Sequence, residues 1–157
     1  MNRKEATRLD RVWMFFAPLF VGLLTLDQLT KWWAVGNVGL QADTDFGFSL
    51  THNEGILFGF HLPQWGVYFL TFGILALGVY LVLKNKMWEH RGHLVGFALI
   101  LAGAIGNLID RLHYGYVVDF IKVYWWPNFN LADVFIVVAV ALLAWDILFH
   151  ENALDGL

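Results

Sequence analysis

Residues 94–112 read LVGFALILAGAIGNLIDRL, an apolar run with no charge before Asp110. A bilayer's hydrocarbon core is about 30 Å thick and takes about 20 apolar residues to cross as a helix. A lone strand would leave its backbone donors and acceptors unpaired in lipid, so such a run must be helical. Three further stretches fit the same template. Residues 12–33 are apolar apart from Asp27 and Lys31, residues 65–83 carry no charge, and residues 131–149 hold Asp133 at the start and Asp146 near the end. The pattern predicts an all-α integral membrane protein, a four-transmembrane-helix bundle forming a single membrane-embedded domain over 1–157.

Composition points the same way. Of 157 residues, 59% are hydrophobic and 15% charged, against about 45–50% and about 25% in soluble domains. That excludes an ordinary soluble globule. A net charge of −3 argues against nucleic acid as a partner, which needs a basic patch. With no cysteine, disulfides, cysteine–zinc sites and thiol nucleophiles are excluded.

Basic residues set the orientation. Arg3, Lys4, Arg8 and Arg11 precede the first helix, and Lys84, Lys86 and Arg91 join the second to the third. The opposite side holds only Lys31, Arg111 and Lys122. The positive-inside rule therefore places both termini in the cytoplasm. The N-terminus has the basic start and apolar run of a signal peptide, but no small-x-small cleavage site follows. Trp32 and Trp33 suit an interfacial aromatic belt, so this segment reads as a retained helix.

Residues 36–63 make a connection too long for a simple turn. Phe46-Gly47-Phe48-Ser49-Leu50 alternates large apolar with small or polar residues, a short-strand pattern. Glycines at 36, 39, 47, 55 and 59 add turn capacity. The segment is expected to form a small extracytoplasmic β element between helices 1 and 2, lying on the membrane surface.

Ionisable groups at membrane depth are costly and mark function by default. Asp27 lies about 22 Å along the first helix from Val12 at 1.5 Å per residue, near the outer leaflet, and Lys31 stands one turn further out. Asp110 and Arg111 end the third helix at the same level. Asp119 sits in the connection that follows, and Asp133 opens the fourth helix. Four segments thus deliver polar groups to one face.

Asn107, Asp110 and Arg111 fall at i, i+3 and i+4 and share a helix face. Asp119 in Val117-Val118-Asp119-Phe120-Ile121 is flanked by bulky apolar residues, which favours its protonated form. Asp133 in Asn130-Leu131-Ala132-Asp133 begins a helix, where the dipole favours negative charge. Its plainer reading is an ordinary helix N-cap. Two carboxyls in such unlike surroundings are what aspartic-protease chemistry needs, provided the fold brings them together.

Other groups carry less. Ser49 is the single serine and no G-x-S-x-G elbow exists, so a serine hydrolase of that type is unsupported. Nothing in the sequence places Ser49 beside Lys31. His90 and His93 lack a clear third metal ligand and read as a solvated loop. Asp43 and Asp45 read likewise, while Asp146 is expected at the interface or paired with another helix. Gly92-x-x-x-Gly96 and Gly103-x-x-Gly106 suit close helix packing.

Five motifs stand in order along the chain: Asp27-Gln28-Leu29-Thr30-Lys31, Asn53-Glu54-Gly55, the Gly106 to Arg111 run, Val118-Asp119-Phe120 and Asn130-Leu131-Ala132-Asp133. Together they resemble the bacterial lipoprotein signal peptidase family, also called signal peptidase II, over nearly the whole chain. The resemblance implies an aspartic endopeptidase of the bacterial inner membrane. Its substrate would be a diacylglyceryl prolipoprotein, cleaved just before the lipid-modified cysteine to release the signal peptide. By motif matching, Asp119 and Asp133 would be the catalytic dyad. Asn107, Arg111 and Asn130 would surround it, and Asp27, Lys31, Asn53, Gly55 and Asp110 would hold structure or substrate. The 36–63 segment would match the family's surface β-cradle and short interfacial helix. The same resemblance implies membrane lipid and globomycin-type inhibitors as ligands, and neither metal nor organic cofactor.

Two other readings compete. A small proton-coupled transporter or channel subunit also uses membrane acids, but it needs polar groups along a path across the bilayer. Here they gather at one face, and helix 2 has no charge. A non-catalytic four-helix scaffold leaves the gathered acids unexplained.

Overall fold

The structure, a computed structural model, describes residues 3–38, 45–55, 63–84 and 91–149. It is mostly helical, with α1 (Arg3–Asn37), α2 (Gln64–Lys84), α3 (Arg91–Tyr114) and α4 (Leu131–Phe149). Three short strands, β1 (Phe46–Asn53), β2 (Val117–Val123) and β3 (Trp126–Phe129), form one antiparallel sheet in that order. By length and composition, Val12–Asn37 and Gly92–Tyr114 are long and apolar enough to cross a membrane.

Helix α3 is the centre of the molecule, packing on α1, α4 and α2. Small residues make this possible. Ala98 and Ala102 are fully buried, and a Cβ at Gly103 would lie 2.5 Å from the Ala132 carbonyl oxygen. Without side chains at such positions the helix backbones approach closely. Leu99, Ala102, Phe135 and Ala139 form the core between α3 and α4, joined by Phe20, Leu23 and Leu24 of α1. The outward faces are apolar too. Trp13, Met14 and Val21 on α1, Phe69 and Phe72 on α2, and Val137 and Val140 on α4 are all exposed, a surface that lipid would cover and water would not.

The sheet sits across the end of α1, with Leu50, Val118 and Phe120 packed on Ala34. It is larger than the 36–63 segment suggests, because β2 and β3 come from the connection between α3 and α4. The stretch around Asp119, expected as a plain connection, is its central strand. Val117 to Phe120 are all buried, so the alternation that betrays a half-exposed strand is absent.

One irregularity in the sheet matters for the site. Phe48 faces Ile121 but Thr51 faces Asp119, so β1 carries an extra residue between them. Had the register of Phe48 continued, Leu50 would oppose Asp119 and Asn53 would point to the other face. The bulge instead puts Thr51, and Asn53 two residues on, on the face of Asp119. Asn128 of β3 secures it by donating to the Ser49 carbonyl and, at 2.7 Å, to Thr51 Oγ1.

Candidate active site

The site begins at the N-terminus of α4, where the first turn has unsatisfied N–H groups. Asn130 Oδ1 accepts the Asp133 N–H at 3.0 Å, and Asp133 Oδ2 accepts the Asn130 N–H at 3.2 Å. This is a reciprocal capping box with Asp in the acidic position. The Ala132 N–H is bound from another helix, by Asp27 Oδ1 at 2.9 Å. Asn130 is thus the N-cap and Asp133 the third residue of the helix, not the N-cap itself, and Asp133 Oδ1 is directed at Asn107 Nδ2, 2.9 Å away.

Asp119 arrives from β2 and is 1% exposed. Asn53 Nδ2 donates to its Oδ2 at 2.8 Å, and Asn130 Nδ2 donates to its Oδ1 at 2.7 Å. Burial pushes the Asp119 carboxyl up to about 7, and the charge of Asp133 adds to the rise. The hydrogen bonds from Asn53 and Asn130, and the charge of Lys31, pull the other way. Asn130 touches both acids, so the two carboxyls belong to one network.

Behind them lies a buried ion cluster. Lys31 Nζ is 3.0 Å from Asp27 Oδ2, 2.8 Å from Asp110 Oδ2 and 2.9 Å from Asn107 Oδ1. Asp110 also accepts the Val118 N–H at 3.1 Å, which ties the end of α3 to β2. Gly106 makes room for Asp27, since a Cβ there would collide with Asp27 Oδ2. Buried charges are tolerable only when paired and hydrogen-bonded in this way. Arg111 completes the rim. It donates to the Gly55 carbonyl at 3.2 Å and lies in the field of Asp133, Asp119 and Asp110. Gly55 in turn donates to Asn53 Oδ1 at 3.0 Å.

All ten candidate residues thus fall in one region. Asp119, Asp133, Asn53, Gly55, Asn107, Arg111 and Asn130 form the inner network, and Asp27, Lys31 and Asp110 lie behind Asn107. Two carboxyls linked through Asn130, one of them titrating near neutrality, can serve as an acid–base pair. His93 lies elsewhere, in α3, with Nε2 2.5 Å from Asp146 Oδ2 of α4. Its sequence neighbours His90 and Lys86, together with Gly39, Asp43 and Gly59, fall outside the described residues.

Three residues that the network uses, Gln28, Tyr68 and Asn128, carry no role in the sequence alone. Gln28 Nε2 bonds Asp27, the Gly106 carbonyl and Asp110 at 3.1–3.3 Å. Tyr68 donates to the Arg111 carbonyl at 3.2 Å, and Asn128 holds the bulge. Gln28 stands inside the Asp27–Lys31 motif, which was a signal; Tyr68 and Asn128 had none.

The chain is similar to known proteins. A family model described as signal peptidase (SPase) II matches residues 19–149. A lipoprotein signal peptidase from Geobacter sulfurreducens is 40% identical over 154 residues, covering 87% of this chain and 93% of that protein. One from Psychromonas ingrahamii is 33% identical over 153 residues, covering 90% and 87%. A solved structure described as a bacterial membrane enzyme superposes with a TM-score of 0.75 at 26% identity, over 89% of this chain and 90% of that one.

Proposed function

The chain belongs to the signal peptidase II family, and from that premise we propose that it is an intramembrane aspartic endopeptidase that removes the signal peptide from diacylglyceryl prolipoproteins. Membership makes it a protease of lipoprotein processing. The further detail rests on one observation above all, the network in which Asn130 bonds both Asp119 and Asp133.

In the proposed mechanism Asp119 begins protonated and Asp133 ionised. Asp133 takes a proton from water while the Asp119 hydroxyl polarises the scissile carbonyl and then protonates the developing oxyanion. Collapse of the tetrahedral intermediate breaks the C–N bond just before the lipid-modified cysteine, as Asp133 gives its proton to the leaving amine and Asp119 takes one back from the intermediate's hydroxyl. Arg111 and Asn53 border this space and are proposed to position substrate. No metal or organic cofactor enters the scheme.

The proposal extends to placement in the membrane. All four helices span the bacterial inner membrane, both termini are cytoplasmic, and the sheet lies at the outer interface. Exposed Trp32, Trp33, Phe46, Phe48 and Trp125 around the sheet support that depth, since aromatic side chains gather at headgroup level. The acyl chains of the substrate stay in lipid while its signal helix packs against the bundle. Globomycin-type inhibitors are expected to bind at the same carboxyl pair.

Gel-shift cleavage of a purified diacylglyceryl prolipoprotein tests the reading. The full chain is expected to cleave it and to leave the unlipidated precursor intact. Equal cleavage of both would overturn the substrate assignment, and cleavage of neither by folded protein would revive the transporter reading.

A further inference from the structure

Lys31 stands outside the carboxyl pair, yet we infer that its ammonium sets the direction of the amides that feed both acids. Lys31 is a positioning residue that fixes which end of Asn107, and through it which end of Asn130, faces Asp133 and Asp119. The inference rests on the proposed dyad.

An ammonium has three protons to donate and accepts nothing. All three have partners here: Asp27 Oδ2 at 3.0 Å, Asp110 Oδ2 at 2.8 Å and Asn107 Oδ1 at 2.9 Å. Only the oxygen end of an amide can face such a group. Asn107 Nδ2 therefore points away from Lys31, to Asp133 Oδ1 at 2.9 Å. The same Asn107 oxygen accepts Asn130 Nδ2 at 3.1 Å. That turns the nitrogen end of Asn130 inward, where it also reaches Asp119 at 2.7 Å, and leaves its oxygen for the Asp133 N–H at 3.0 Å.

A flipped Asn107 would set its NH2 against the ammonium and against the NH2 of Asn130. Its oxygen would meet the Asp133 carboxylate. Water has little room to relieve those contacts, because Lys31, Asn107 and Asn130 are 3%, 8% and 0% exposed. The ammonium is itself held by backbone. Asp27 is anchored on the Ala132 N–H and Asp110 on the Val118 N–H. With its donors engaged, Lys31 has none to offer a substrate or Ser49.

Lys31 also acts on Asp119 through space, from α1. The other charged groups facing Asp119 are Asp133 of α4 and Arg111 of α3, while Asn53 of β1 donates to it directly. Removing the cation withdraws one influence that favours the ionised form of Asp119.

The test uses the full chain with diacylglyceryl prolipoprotein. Lys31→Met combined with Asp110→Asn removes one charge of each sign. The expected result is a kcat about 100-fold lower, the scale of a misplaced reacting group, with KM within about threefold of the parent. Asn107→Asp is the second variant. It still accepts from Lys31 and Asn130 but offers Asp133 no donor, and the same loss of kcat is expected. Parental kcat in either folded variant would overturn the inference, as would a loss carried by KM. Asp119→Asn is assayed beside them. If it cleaves at the parental rate the dyad itself fails; if it is inactive while the other variants keep parental kcat, only the role of Lys31 fails.

Discussion

Asp119 is where sequence, burial and chemistry meet in one residue. Its carboxyl, ordinarily near 3.8, is raised to about 7, first by burial and then by the charge of Asp133. The sign follows directly. The folded protein holds Asp119 neutral up to about pH 7, so a reaction needing the neutral acid proceeds below that pH and declines above it. The value of kcat/KM reports groups of the free enzyme, and it is expected to fall about tenfold per pH unit above pH ~7. A flat profile between about pH 6 and 9 would remove Asp119 from that role. The acids were legible from sequence because each is an ionisable group beside apolar runs whose height follows from helix rise. Asn128 was not, since its meaning lies in partners 77 and 79 positions away.

At the level of elements, close contact between α3 and α4 sets where Asp133 stands. Gly103 faces the Ala132 carbonyl oxygen, and its missing Cβ would also come within 2.8 Å of Ile136 Cγ1. Backbone cannot step aside as a flexible side chain can. Gly103→Ala is therefore expected to cost about 1–3 kcal/mol, the range for overpacking, and to lower cleavage by moving the first turn of α4. Gly73→Ala on α2 meets nothing within 4 Å and should leave thermal stability and rate unchanged. Comparing the thermal midpoints and rates of the two variants checks this; parental stability in Gly103→Ala would contradict it. The helices were legible because long apolar runs admit one solution in lipid. Strand β2 was hidden, because Val117, Val118 and Phe120 are buried on both sides of the sheet. The bulge in β1 was hidden as well, for register is a property of two strands and not of one.

Among the described residues, the helices turn apolar side chains outward and the buried polar groups gather at one end. That distribution makes a proposed topology with the sheet outside and the α2–α3 connection inside. The chain has no cysteine, so single cysteines can report sidedness without background. Cysteine replacing Trp125, in the turn between β2 and β3, is expected to react with an impermeant maleimide in intact spheroplasts. Cysteine replacing Lys84, at the end of α2, should react only after the membrane is opened. The reverse pattern would invert the orientation and place the acids on the cytoplasmic side. The proposed sidedness is argued from the spacing of Lys and Arg alone, whereas the joining of β1 to β2 required the three-dimensional chain.

The measurement that bears most directly on the dyad is the single-turnover rate of Asp119→Asn and Asp133→Asn on diacylglyceryl prolipoprotein. Circular dichroism and thermal melting would confirm that both variants fold. Each is expected to lose at least about 1,000-fold in rate, within the range of positioned acid–base groups. A folded variant of either residue that cleaves at the parental rate would contradict the account.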